Sequence, residues 1–292
     1  MQIESLKVFC DLVETKSFTR AAQINSVTQS AVSQTISALE RQFKSLLIER
    51  SKKNFRLTPE GQVVYNYSKQ ILQCFDAFTS RLQEIEGVIS GHIRVATVYS
   101  IGLHELPPYV KRFMKEYPDV NVHVEYRRSD QVYEDVLGNV VDLGFVAYPS
   151  RDSKLETVAL RKDPLVLVCS PQNPLAKLKS IKLKGLDRQK FISFERDMPT
   201  RKALDSLFRE HGISVEHVRE FDNIETVKRA VEIDSGVALL PEATVKQEVA
   251  TRTLTAVPLE GKYFRHLGVV YKKHRVLSPA LKQFISRLKD PL

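Results

Sequence analysis

The chain opens with apolar residues at helical spacing. Ile3, Leu6, Phe9, Leu12 and Val13 fit one face of a first helix. Ser17 and Thr28 each stand where a hydroxyl can accept from a first-turn N–H, predicting two further helices joined by a turn around Asn25 to Val27. In the third helix Val32, Ile36, Leu39 and Phe43 follow at steps of 4, 3 and 4. At ~100° per residue they make one apolar seam. Ser30, Ser33, Gln34, Ser37, Arg41 and Lys44 fall opposite it, with Glu40 at the edge of that set. A basic segment follows, Leu46 to Thr58, with Arg50, Lys52, Lys53 and Arg56. Its Phe-Arg-Leu-Thr predicts a strand of a small hairpin, so the pattern reads as a helix-turn-helix with a wing.

Thr58-Pro59-Glu60 is a helix start, with Thr as N-cap and Pro in the first turn. Apolar residues then recur at Val64, Tyr67, Ile71, Cys74, Phe78, Leu82, Ile85 and Ile89. This heptad-like stripe predicts a helix of roughly 30 residues, about 45 Å long, too long for a small head to cover. It can pack on a partner helix or in an intrachain hairpin. Gly87 and Gly91 flank a break, and the texture then alternates between strand and helix signals. Ile93–Val98, Val120–Glu125, Asp142–Val146, Leu165–Cys169, Phe191–Phe194, Val237–Leu240 and Leu267–Tyr271 read as strands. Pro108–Tyr117, Asp130–Leu137, Arg201–His211, Ile224–Ile233 and Pro279–Leu288 read as helices. The alternation predicts an α/β domain with a largely parallel sheet.

The exposed face of the third helix carries small hydroxyls, amides and cations. Any amphipathic helix has a polar face. This one sits between an apolar-periodic helix and a basic hairpin, which favours the DNA major groove. Gln pairs bidentately with adenine, and Arg and Lys reach guanine or phosphate. The expected DNA contacts are Thr28, Gln29, Ser30, Ser33, Gln34, Ser37, Arg41, Arg50, Lys52, Lys53 and Arg56.

Several runs resemble the N-terminal domain of the LysR-type transcriptional regulators. They are Leu6-Lys7-Val8-Phe9, Ser17 to Ala22, Thr28 to Ser33, Ile36 to Glu40, and Arg56-Leu57-Thr58-Pro59-Glu60-Gly61. One departure stands out. The family usually has a Gly and an aromatic between recognition helix and wing, where this chain has Ser45-Leu46-Leu47-Ile48. Both kinds of residue can pack, so a slightly altered turn is expected. The resemblance extends to Val141 to Gly144 and Gly236 to Pro241. It implies an α plus α/β architecture. Residues 1–58 would form a winged helix-turn-helix and 59–90 a linker helix that dimerises. Residues 91–292 would form a two-lobed, periplasmic-binding-protein-like effector domain. One lobe would span 91–162 and 267–292, the other 163–266. The crossing strands would run near Arg161 to Pro164 and Phe264 to Leu267. The resemblance also implies a homodimer or homotetramer and RNA polymerase as a partner.

Composition narrows the classes. The 292 residues suggest about two domains, and 42% apolar with 27% charged residues is usual for a globular protein. No apolar run approaches the ~20 residues of a membrane span, and Met-Gln-Ile-Glu-Ser lacks signal-peptide character, so a cytoplasmic protein without a membrane partner is expected. The 3 cysteines, Cys10, Cys74 and Cys169, are far apart and suit thiols in a reducing compartment. Net charge is +9. Residues 1–90 hold 11 basic and 9 acidic side chains, so the surplus lies mostly in the second part, where an anionic effector could use it.

Ligands of open α/β sheets bind beyond strand C-terminal ends, near helix N-termini. The polar residues at such junctions are Ser100, Ser129, Tyr148, Thr200, Arg201 and Asn223. Each could equally be an ordinary N-cap; their convergence on one cleft is what the resemblance implies. Nucleophile elbows, phosphate-binding loops and dinucleotide fingerprints are absent, and the 7 histidines make no metal-spaced pair. No catalysis, cofactor or metal is expected. The leading expectation is a transcriptional regulator of double-stranded DNA controlled by a small-molecule effector. The rivals are a solute-binding-like sensor without direct DNA control, and an enzyme with an N-terminal interaction module.

Overall fold

The computed structural model describes residues 2–51, 54–85 and 89–289. Two compact units emerge, Met1–Gly91 with Gly138–Val140 and Val276–Ala280, and His92–Leu137 with Val141–Arg275 and Leu281–Leu292.

The first unit begins with α1 (Ile3–Thr15), α2 (Phe18–Ile24) and α3 (Gln29–Phe43). The hairpin β1 (Ile48–Ser51) and β2 (Asn54–Leu57) comes next, then α4 (Pro59–Ile85). Ser17 and Thr28 cap α2 and α3 by accepting from the N–H of Arg20 and Ala31 at 3.3 and 3.2 Å. Leu6, Phe9 and Leu12 of α1 meet Val32, Ile36 and Leu39 of α3 in one core, to which Leu47 and Ile48 contribute. Phe43, the last member of the α3 seam, is 38% exposed because the helix ends there.

That helix end carries the altered turn. Lys44 adopts φ 53°, and Ser45 N–H donates to the Glu40 carbonyl at 3.1 Å, closing the left-handed turn that commonly ends helices. Glycine takes this conformation without strain; for a lysine it costs about 1 kcal/mol. The chain then turns back on Thr58. Its N–H donates to the Leu47 carbonyl at 3.1 Å, its Oγ1 donates to the Leu46 carbonyl at 2.6 Å, and Oγ1 also accepts from Gly61 N–H at 2.9 Å. A Cβ on Gly61 would lie 2.0 Å from the Leu47 carbonyl oxygen, so only glycine fits.

Helix α4 has two apolar faces. Val64, Tyr65 and Leu72 pack on the head core. Val63, Tyr67, Ile71, Phe75, Phe78, Leu82 and Ile85 stand exposed in steps of 3 and 4. The expected stripe therefore loses Val64 to the head and gains Val63 and Phe75. Ile89 lies beyond the helix, and Gly87, expected at the break, lies outside the described residues.

The second unit runs β3 (Gly91–Thr97), α5 (Tyr99–His104), α6 (Leu106–Glu116), β4 (Val120–Tyr126), α7 (Ser129–Leu137), β5 (Leu143–Ala147) and β6 (Leu155–Cys169). It continues through β7 (Ile181–Lys182), β8 (Lys190–Phe194), α8 (Pro199–Glu210), β9 (Glu216–Phe221), α9 (Ile224–Glu232) and β10 (Ala238–Pro241). The last elements are α10 (Lys246–Ala250), β11 (Thr255–Glu260), β12 (Phe264–Lys272) and α11 (Pro279–Arg287). The main sheet has the order β4-β3-β5-β12-β6-β11-β7, with β10 also on β6. A parallel pair, β8 and β9, joins the second lobe through a bridge from Phe191 to Val237.

The sheet is mixed, and this corrects the expectation of a largely parallel one. Strand β3 is parallel to β5, but β12 is antiparallel to both β5 and β6, and β10 and β11 are antiparallel to β6. The cause is topological. Strands β6 and β12 each serve both lobes and cross in opposite directions, so they pair antiparallel along Leu155 to Pro164. Beyond Leu165, β6 is buried on both faces. Leu165, Leu167 and Cys169 enter one core cluster, while Val166 and Val168 enter the other.

Candidate functional site

The outward face of α3 is the first candidate. The buried seam forces Gln29, Ser30, Gln34, Arg41 and Lys44 into the exposed class, with Ser33 and Ser37 half-buried beside them. Thr28 is partly committed, since its Oγ1 caps the helix and lies 2.8 Å from Ser30 Oγ. Ser33, Gln34, Ser37, Arg41 and Lys44 line one open groove together with Glu40, Ser45 and Leu46. Sequence reasoning missed Ser45 and Leu46 as groove residues. Glu40 does not oppose an anion fully, because its Oε1 accepts from Leu47 N–H at 3.0 Å and Ile48 N–H at 3.4 Å. On the hairpin, Arg56 is exposed and sits opposite Glu49. Lys52, Lys53 and the Arg50 side chain lie outside the described residues.

The second candidate is a cavity of about 60 Å³ in the other unit. Four expected residues line it: Ser100 after β3, Ser129 after β4, Thr200 at the start of α8 and Asn223 at the start of α9. Arg127, Arg128, Met198, Asp222 and Arg265 complete much of the wall. Asn223 is spent as a cap, its Oδ1 accepting from Thr226 N–H at 3.0 Å.

Two expected residues are not among the cavity lining. Tyr148 lies near Arg265 and Asp163, and burial pushes its hydroxyl up to about 12. Arg201 points into its own lobe. It is buried, donates through Nε to Asp205 at 2.8 Å, and reaches the Phe194 carbonyl at 2.9 Å and Glu220 at 2.8 Å. The expected bidentate contact from Arg201 to a ligand is therefore corrected. Two carboxylates one helix turn and one strand away claim its guanidinium first.

Arg265, by contrast, lines the cavity. It is 2% exposed, donates to Ser100 Oγ at 2.7 Å and to Asp163 Oδ2 at 2.8 Å, and its Nε has no partner among the described residues. The sequence signal was its place in the second crossing segment. Arg128, in the cavity wall, donates to Glu195 at 3.0 Å and Asp197 at 2.9 Å. His104 Nε2 lies 3.0 Å from Glu225 Oε1. Burial opposes ionisation of Glu225, but hydrogen bonds from His104 and Lys228 outweigh it and hold the carboxyl below its usual range. The hydroxyls of Ser100, Ser129 and Thr200, the open first turn of α8 and the Arg265 guanidinium are all suited to a small oxyanion or carboxylate.

Among the described residues, no group of three or more His, Cys, Asp or Glu could hold a metal, and no helix is long and apolar enough to cross a membrane.

Comparison with known proteins gives two family matches. Residues 3–62 match the bacterial regulatory helix-turn-helix protein, lysR family. Residues 86–292 match the LysR substrate binding domain. The chain is 27% identical over 296 residues to the HTH-type transcriptional regulator CysL of Bacillus subtilis (strain 168), covering 99% of this chain and 97% of that one. It is 28% identical to the HTH-type transcriptional activator CmpR of a Synechocystis strain, covering 98% and 94%. A full-length OxyR variant from Pseudomonas aeruginosa shares the fold with a TM-score of 0.78, at 20% identity, over 99% of this chain and 94% of that one. Full-length CbnR, solved with its target DNA, shares it with a TM-score of 0.70 at 20% identity, over 99% of both chains.

The placement of Arg201 has a measurable consequence. Arg201→Ala leaves Asp205 and Glu220 facing each other without their shared cation. Because both carboxylates are about a third exposed, the expected cost is about 2–4 kcal/mol of stability. Urea denaturation of the full chain, with hydrogen exchange read at α8 and β9, checks this. Unchanged exchange at both elements would contradict the structural role.

Proposed function

Because the chain belongs to the LysR family of transcriptional regulators, we propose that it reads duplex DNA through α3, assembles through α4, and answers to a small anionic metabolite held between two lobes. It is a DNA-binding regulator with an effector-binding domain. The observation that carries the DNA assignment is the burial of Val32, Ile36 and Leu39, which turns Gln29, Ser30, Ser33 and Gln34 outward together. A solute-binding-like sensor has no use for such a helix. Thr28, Ser37, Arg41 and the basic wing residues Arg50, Lys52, Lys53 and Arg56 would support it by hydroxyl and phosphate contacts.

The proposed effector group meets Ser100, Ser129, Thr200 and Arg265. Their hydroxyl and guanidinium donors favour a carboxylate or oxyanion. Room for roughly four water molecules means a small ligand or a cleft that opens. A ligand acts only through different affinity for two states, so binding would alter how protomers pair and where the heads rest on DNA. A cytoplasmic homodimer or homotetramer on half-sites one helical turn or a multiple apart, acting on RNA polymerase, completes the proposal.

Selection from a random duplex pool tests the DNA face. Alanine at Gln29, Ser30, Ser33 or Gln34 should relax base preference by ~1–3 kcal/mol at one position, whereas Arg56→Ala should weaken all sequences alike. Unchanged preference in all four helix variants would remove α3 from base reading.

Assembly is tested at the exposed stripe of α4. Ile71→Asp or Phe78→Asp would bury an unpaired charge in the pairing face, costing several kcal/mol. Sedimentation velocity should then show a smaller species. An unaltered oligomer would put the interface elsewhere.

Effector class is tested by thermal shift of the full chain against small carboxylates, phosphate and sulfate, compared with neutral analogues. Stabilisation by an anion should be lost in Thr200→Val and kept in Arg201→Lys. A response to neutral compounds alone would reject the anionic class.

A further inference from the structure

Leu46 is 69% exposed, although Leu47 and Ile48 beside it are buried. A lone exposed leucine is ordinary. This one is clamped. Its carbonyl accepts from Thr58 Oγ1 at 2.6 Å, and the next carbonyl accepts from Thr58 N–H at 3.1 Å. The next two N–H groups donate to Glu40 Oε1 at 3.0 and 3.4 Å. The backbone is therefore fixed on both sides, and the side chain has no route into the core. It projects into the open groove lined by Ser33, Gln34, Ser37, Arg41 and Lys44.

The groove's charge suits a polyanion. Arg41 and Lys44 are exposed, and neither pairs with a carboxylate among the described residues. Glu40 has one carboxylate oxygen engaged by the wing amides. Length fixes which part of a duplex fits. Helix α3 has 15 residues, or roughly 22 Å at 1.5 Å per residue. The major groove is only about 12 Å wide. With the first two turns of α3 among the bases, its C-terminal end and Leu46 overhang the strand that borders the groove.

We infer that Leu46 is a DNA contact: the groove between α3 and the turn into β1 seats the bordering sugar–phosphate strand, with Leu46 on deoxyribose carbons and Arg41 and Lys44 on the flanking phosphates. This rests on the DNA-reading assignment of α3 and extends it with an apolar, sequence-independent contact. The sugar offers C–H surface between phosphates, and the preset Leu46 loses little freedom on meeting it. The contact releases no counterion, so it adds affinity without adding salt dependence.

The test uses the full-length chain, one duplex selected from a random pool, and a scrambled duplex of equal length, each titrated across salt concentrations. Leu46→Ala should bind both duplexes about four-fold or more weakly, the worth of one buried methylene or more. Its salt slope should match the parent's. Leu46→Met should restore binding. Lys44→Ala should instead lower the slope by about one unit. Because Leu46 is outside the core, unchanged thermal unfolding should accompany its replacement. Leu46→Ala binding equal to the parent's would overturn the inference, as would a changed salt slope. A loss confined to the selected duplex would also overturn it, since that marks a base contact. A parent chain that enriches no sequence and binds neither duplex would reject the α3 assignment as well.

Discussion

The second unit depends on one buried ion pair. Asp163 and Arg265 are Cα partners where β6 and β12 cross, and their charges meet at 2.8 Å with almost no exposure. Burying either alone would be costly, and losing one partner of such a pair costs several kcal/mol. The pair therefore pins the register of the two strands that serve both lobes. It also reaches outward. Asp163 accepts from Arg161 Nε at 2.9 Å, Arg161 pairs with Glu105, and Arg265 holds Ser100. Alternating charges thus run from the α5–α6 junction through the crossing to the cavity wall. A ligand at Ser100 touches the same unit that sets the lobe geometry.

The first unit relies on a smaller set of bonds at the return of the wing. Thr58 and Glu40 between them engage the backbone from Leu46 to Ile48, and Gly61 leaves room for the close approach. The helix-turn-helix core places α3, and these bonds place the turn and hairpin beyond it. The same region absorbs a lysine at a left-handed position, because the two hydrogen bonds closing that turn come from the backbone and do not need a particular side chain.

The head was largely legible because its elements are local. The caps Ser17 and Thr28 and the seam Val32, Ile36 and Leu39 are set by spacing within one or two turns. The strand Leu165 to Cys169 was legible for a related reason: buried on both faces, it reads as an unbroken apolar run. Its continuation back to Leu155 could not be read from the residues, since Glu156, Arg161 and Lys162 give that stretch the look of a loop; only the resemblance placed a crossing strand near Arg161 to Pro164. The polar strand β9 was missed on the same ground, and β11, which lies between β6 and β7, was missed because Pro258 interrupts its short apolar run. The cavity was half legible. Strand-to-helix junctions pointed to Ser100, Ser129, Thr200 and Asn223, but direction along a helix start cannot be read from spacing. Thr200 faces the cavity while Arg201, one residue on, is drawn to Asp205 and Glu220. Arg265 could only be found from long-range pairing, as its partner Asp163 is 102 residues away.

The Arg128 contacts beside the cavity bear on motion as well as affinity. The guanidinium ties the loop after β4 to the loop after β8 through Glu195 and Asp197, and residues of both loops line the cavity. Any widening of the cavity would part these loops, on the microsecond-to-millisecond scale of such motions. The bridge is exposed to solvent, so each parting is cheap. Entry and exit of a small molecule are then limited by its contacts inside the cavity, and the bridge sets only how far the two loops stand apart.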